Sequence, residues 1–139
     1  MLRAVLDANV YVSAVIRPEG PPGQIIERFL RRSAFVIVMS PAIVDEVRNA
    51  LAYPKVQKPI RGDIDAPAWF DAIVLLADLI PGEFTVRGVS RDPDDDKYLA
   101  AAAEGRANVV VSGDPDLLAI KQYEEIRIVG PREFLGALA

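Results

Sequence analysis

The chain contains no cysteine and no histidine. Without cysteine there are no disulfides and no thiolate nucleophiles. Without either residue, Ser-His-Asp triads and nearly all structural zinc sites are excluded as well. Acid–base or metal chemistry falls to carboxylates, lysines, tyrosines and hydroxyls, and a site of carboxylates alone favours hard cations such as Mg²⁺ or Mn²⁺. Long apolar runs are also missing, none approaching the roughly 20 residues of a membrane-spanning helix. Met1 leads into a strand-like run without the basic segment, apolar core or cleavage site of a signal peptide. These absences predict a cytoplasmic protein with no membrane partner. Basic charge is in deficit too: 20 acidic against 16 basic residues give a formal charge of −4. Nonspecific nucleic-acid affinity comes from Lys and Arg neutralising phosphates, so this balance weighs against a plain binding module. It weighs less against a metal nuclease, where divalent ions bridge carboxylates to phosphate oxygens.

What is present is an ordinary globular composition, 51% apolar and 26% charged over 139 residues, which predicts one domain spanning 1–139. Arg3 to Leu6, Phe35 to Met39, Asn108 to Val111 and Ile126 to Val129 read as buried strands, with a weaker extended piece at Phe84 to Val86. Helical spacing covers Asn9 to Ile16, Gln24 to Arg32, Pro41 to Ala52 and Asp65 to about Leu79. It returns at Asp94 to Glu104, Pro115 to Tyr123 and Pro131 to Leu138, while 17–23 and 53–64 read as loops. Apolar strands alternating with helices predict an α/β fold, with a central parallel sheet of about five strands and helices on both faces. Ligands in such sheets bind beyond the carboxyl ends of the strands, near a topological switch point.

Two strands deliver an aspartate at that end, Asp7 after Val5-Leu6 and Asp114 after Val110-Val111-Ser112-Gly113. A third group, Asp92-Pro93-Asp94-Asp95-Asp96, stands where a helix begins. Each aspartate also suits helix capping, which is reason enough for its place. On the helix that follows, Asp96 shares a face with Leu99 and Ala103, so it projects inward, with Asp95 on the flank and Lys97 and Glu104 pointing away. An inward carboxylate needs a partner; no Lys or Arg offers itself from the sequence, and a metal would serve. In the helix at 41–52, Glu46 lies at the edge of the apolar stripe of Ile43, Val44, Val47 and Leu51, whereas Asp45 is solvated. Gathered carboxylates repel one another and a divalent cation relieves them.

In order, Val5-Leu6-Asp7-Ala8-Asn9-Val10, Pro41-Ala42-Ile43-Val44-Asp45-Glu46-Val47, Asp92-Pro93-Asp94-Asp95-Asp96-Lys97-Tyr98-Leu99-Ala100 and Val110-Val111-Ser112-Gly113-Asp114-Pro115-Asp116-Leu117-Leu118 resemble the motifs of PIN domains. The similarity runs over essentially the whole chain and is nearest to the branch related to VapC-type toxins of toxin–antitoxin systems. It implies a three-layer α/β fold, a homodimer, an antitoxin protein as partner, and hydrolysis of RNA with one or two Mg²⁺ or Mn²⁺ ions. It places the acidic quartet on Asp7, Glu46, Asp96 and Asp114, with Asn9 and Ser112 orienting carboxylates and Asp116 adding to the metal shell. Asp7, Asp96 and Asp114 are then expected to hold the ions, and Glu46 to join them or orient the attacking water. Ala8 stands where the first motif often has Thr, so one expected hydroxyl is missing. Arg17, Arg48, Lys55, Lys58 and Arg61 are candidates to hold the RNA backbone. A haloacid-dehalogenase-type hydrolase would want a carboxylate where Asn9 stands. A receiver domain would want a lysine after a late strand, where Ile126-Arg127-Ile128-Val129-Gly130 has none. The alternative that remains is a catalytically silent PIN-like protein-interaction module.

Overall fold

A computed structural model of the chain describes residues 1–138. Four strands match the apolar runs read from the sequence: β1 (Arg3–Leu6) and β2 (Val36–Met39), and further along β4 (Val109–Val111) and β6 (Ile126–Val129). Two short pieces complete a six-stranded sheet, β3 (Asp78–Leu79) and β5 (Gln122–Tyr123), in the order β3-β2-β1-β4-β6-β5. All neighbours are parallel except β5 and β6, which pair antiparallel. The expected count of about five therefore becomes six. Both additional strands are two residues long and sit at the sheet edges, where pairing with one neighbour leaves no periodic apolar signature. Phe84 to Val86 is not a strand; the extended pairing lies earlier, on residues expected to end a helix.

The helices are α1 (Ala8–Ile16), α2 (Pro21–Arg32), α3 (Pro41–Ala52), α4 (Pro54–Gln57), α5 (Ala66–Leu76), α6 (Asp96–Glu104), α7 (Pro115–Leu118) and α8 (Pro131–Ala137). Helix α2 begins earlier than the Pro-Gly content of 17–23 suggested, because Pro at the first helical positions lacks only an N–H that has no partner there anyway. At Gly23 a Cβ would meet the Pro18 carbonyl oxygen at 2.1 Å, so only glycine lets the loop close against this helix. Helix α3 starts as expected, with the Ser40 hydroxyl accepting from Ile43 N–H and Pro41 at the first position.

From β1 the chain passes outward to β2 and β3, then returns across the sheet to β4 on the other side of β1. Right-handed crossovers put the helices of the outward path on one face and α6 on the other. Helices α1, α2, α3 and α8 pack together, while α6 lies across β1, β2, β4 and β6. Strands covered on both faces are apolar throughout, as in β4. Ile37, Met39, Phe35, Phe70, Phe134 and Leu99 anchor the core. The return stroke leaves a crevice between the carboxyl ends of β1 and β4, the switch point where such folds bind ligands.

Candidate active site

Asp7 and Asp114 stand at that crevice, and a single hydroxyl links them. Asp7 is 4% exposed. One of its oxygens accepts from the Asn9 backbone N–H at 3.2 Å, capping α1, and the other accepts from Ser112 Oγ at 2.6 Å. Ser112 is fully buried, and its Oγ in turn accepts from the Asp114 backbone N–H at 2.9 Å. Asp114 caps α7 by accepting from Asp116 N–H at 2.9 Å. Capping and site-building are thus not alternatives here: each aspartate uses one oxygen on its own helix, and Ser112 holds the second Asp7 oxygen. The contacts refine the expected supporting roles. Ser112 orients Asp7 through its side chain, whereas Asn9 and Asp116 contribute backbone N–H groups.

The acidic run divides differently from the helical-wheel expectation. Pro93–Asp95 form a 3-10 turn, capped by the Asp92 carboxylate accepting from Asp94 N–H, before α6 begins. Such a turn advances about 120° per residue rather than 100°, so the carboxylates do not keep the phase of one continuous helix. Asp95, assigned from the wheel to the flank, faces Asp114 closely enough for a carboxyl–carboxylate hydrogen bond. One of its oxygens is buried with no hydrogen-bond partner. Burial, then the hydrogen bond to Asp114, then the charges of Asp114, Asp92 and Asp7 push its pKa up to about 7.

Asp96 is buried as expected, but its partners are backbone amides. Its two oxygens accept from Gly88 N–H at 3.0 Å and Ser90 N–H at 2.7 Å. The segment before the acidic run folds back over the start of α6, and its N–H groups satisfy the inward carboxylate. Within the acidic run it is Asp95 that lies against Asp114 and feels the charge of Asp7. No periodicity argument could have found this, since it depends on where a loop with no secondary structure returns.

Glu46 also has partners that the sequence concealed. Its Oε2 lies 2.5 Å from Lys97 Nζ, and its Oε1 accepts the Tyr98 hydroxyl hydrogen. The expectation that Lys97 points away is corrected: Lys97 pairs with Glu46 and bridges α6 to α3. Tyr98 OH also accepts from Ala8 N–H at 3.2 Å, tying Glu46 to the residue after Asp7. Burial, the charge of Asp7 and the bond to Glu46 raise the phenol pKa, keeping it a proton donor. Glu104, also expected to point away, accepts from Gly82, Glu83 and Phe84 N–H. Asp45 is exposed, as expected. Of the basic candidates, Arg48 pairs with Asp71 and Arg61 with Glu19, both in exposed ion pairs at 3.2 Å. Arg17, Lys55 and Lys58 lie on the surface.

Among the described residues no three acidic side chains already stand together as a ready-made ion cage. The donor chemistry nonetheless fits a hard divalent cation. The charged groups at the crevice are carboxylates, and one oxygen, on Asp95, is buried without a donor. A bound cation would supply the missing partner and displace the proton that Asp95 otherwise keeps.

A family model described as PIN domain matches residues 3–116. An uncharacterized protein of Methanocaldococcus jannaschii is 28% identical, over 96% of this chain and 90% of its own length. Among solved structures, VapBC2 from Rickettsia felis, bound to a DNA fragment from its promoter, superposes with a TM-score of 0.58 at 13% identity. That match covers 93% of this chain and 98% of the other. A structure from Pyrobaculum aerophilum gives 0.53 at 16% identity, covering 99% and 89%. At these identities the solved structures speak for the fold.

Proposed function

The chain belongs to the PIN-domain family, and from that premise we propose that it is a Mg²⁺- or Mn²⁺-dependent endoribonuclease acting as the toxin of a toxin–antitoxin pair. The observation that carries this reading is the approach of Asp95 to Asp114 beside Asp7 at the switch point, with a buried carboxylate oxygen on Asp95 that no donor satisfies. The likeness to VapBC2 supports the toxin role and an antitoxin partner; a homodimer and a cytoplasmic setting belong to the same proposal and rest on the family resemblance alone.

In this reading Asp7, Asp95 and Asp114 hold the ion or ions, which when bound activate water and stabilise the leaving oxygen in phosphodiester cleavage. The chain's own groups prepare the site. Ser112 fixes one Asp7 oxygen and leaves the carboxylate little freedom to rotate. Tyr98 holds Glu46 and the first turn of α1 in one frame. Lys97 neutralises Glu46, so Glu46 acts as a positioning residue rather than as a free ligand. Asp96 shapes the loop beside the site.

The silent-module reading draws on one observation: Glu46 and Asp96, two of the four acids expected to form the centre, are already engaged by protein donors. Calorimetric titration with Mn²⁺, on wild type and Asp114→Asn, separates the two, together with cleavage of a mixed RNA pool. Micromolar-to-millimolar binding and Mn²⁺-dependent cleavage, both lost in the variant, are expected of the nuclease. A wild type that binds no Mn²⁺ and leaves RNA intact would establish the silent module.

A further inference from the structure

Residues 81–90 form a strap without secondary structure that is clamped twice to α6. Glu104 accepts from the backbone N–H groups of Gly82, Glu83 and Phe84 at 3.1, 2.8 and 3.0 Å. Two turns earlier on the helix, Asp96 accepts from Gly88 and Ser90. Gly82 has φ +80°, and a Cβ there would lie 3.0 Å from Pro41 Cδ, so the strap is also pressed against the start of α3. Between the clamps, Thr85, Val86 and Arg87 have no such tether.

Strap, α3 and α6 enclose an open groove of ≈ 480 Å³, within the range of about 300–1,000 Å³ that small-molecule sites occupy. Pro41, Ala42, Ala100 and Ala101 give it apolar walls, and Phe84 and Arg87 line it from the strap. Phe84 is 56% exposed, a large aromatic surface left to solvent. The two acids at the groove, Asp96 and Glu104, have their charge met by five amide N–H groups. Arg87 has no ion-pair partner among the described residues, and Lys97 is the other cation on the wall. Lys97 also marks the distance to the chemistry: it touches Glu46, which Tyr98 connects to the residue after Asp7.

We propose that this groove is a subsite for one unpaired nucleotide of the RNA, its base stacked on Phe84 and its phosphate met by Arg87. The inference rests on the nuclease reading and names which part of the substrate lies next to the acidic centre. An exposed aromatic beside a free arginine is the pairing by which proteins hold single-stranded bases. A base already stacked in a duplex cannot use it, so the groove selects single-stranded RNA.

The test is titration of a single-stranded adenylate hexamer into isotope-labelled protein in EDTA, which prevents metal-dependent cleavage, followed by amide NMR shifts. Perturbations are expected at Phe84 to Arg87 and at Ala100 and Ala101. Phe84→Ala is expected to weaken binding about 5- to 100-fold. Arg87→Ala is expected to weaken it and to lower the salt dependence by about one phosphate contact. Both side chains are exposed, so neither change threatens folding. No hexamer binding at millimolar concentration, binding by Phe84→Ala within twofold of wild type, or shifts confined to another face would each overturn the subsite. Mn²⁺-dependent cleavage is scored separately. Cleavage without a Phe84 effect removes the subsite and keeps the nuclease; hexamer binding in the groove with no cleavage of any RNA does the reverse.

Discussion

Replacing Asp95 by asparagine should stabilise the metal-free protein and at the same time abolish its affinity for Mn²⁺. The carboxyl is held near pKa 7 against an ordinary 3.8. At 1.36 kcal/mol per pH unit that difference sets a ceiling of about 4 kcal/mol for ionising it in the folded state. Asp95 is only partly buried, and solvent screening lowers the figure to roughly 1–2 kcal/mol. The native state keeps this proton to a higher pH than the unfolded chain does. The wild type therefore loses stability as pH rises from about 4 to about 7 and changes no further above that, as far as this group is concerned. The amide of the Asp95→Asn variant keeps the shape and can still donate to Asp114, so the variant escapes the loss. Thermal unfolding in EDTA should show it melting about 3–8 °C above wild type at pH 8 and close to it at pH 4. Adding Mn²⁺ at ten times its dissociation constant should raise wild-type stability by about 1.4 kcal/mol and leave the variant unmoved. An equal melting difference at both pH values, or a variant less stable than wild type at pH 8, would refute the placement of Asp95 among like charges.

Two further substitutions separate the site from its supports. Ser112→Ala removes the donor to Asp7 and the acceptor of Asp114 N–H from a fully buried position; a loss of about 2–3 kcal/mol in urea unfolding is expected, with Mn²⁺ binding about tenfold weaker by calorimetry. Asp96→Asn confronts two backbone N–H donors with a group that can accept from one of them properly. It should cost roughly 1.5–3 kcal/mol and speed hydrogen exchange at Gly88 and Ser90, while Mn²⁺ affinity stays within about twofold.

The sequence by itself determined the scaffold. Short apolar runs rich in β-branched residues fit interior strands of a sheet covered on both faces, so β1, β2, β4 and β6 were legible, and with them the carboxyl-end positions of Asp7 and Asp114. Ser40-Pro41 and Asp65 announced their helices because capping is a local matter. The short edge strands were not legible, since two residues carry no period and pair only once a neighbour is present. Tertiary structure alone decided how the acids are shared out. A 3-10 turn ahead of α6 rotated Asp95 towards Asp114, a returning loop claimed Asp96, and Lys97 and Tyr98 closed on Glu46 across 51 and 52 residues of chain. A carboxylate goes to whichever donors the fold brings within 3 Å, and for Asp96 and Glu46 those donors lie outside any window that helical periodicity can read.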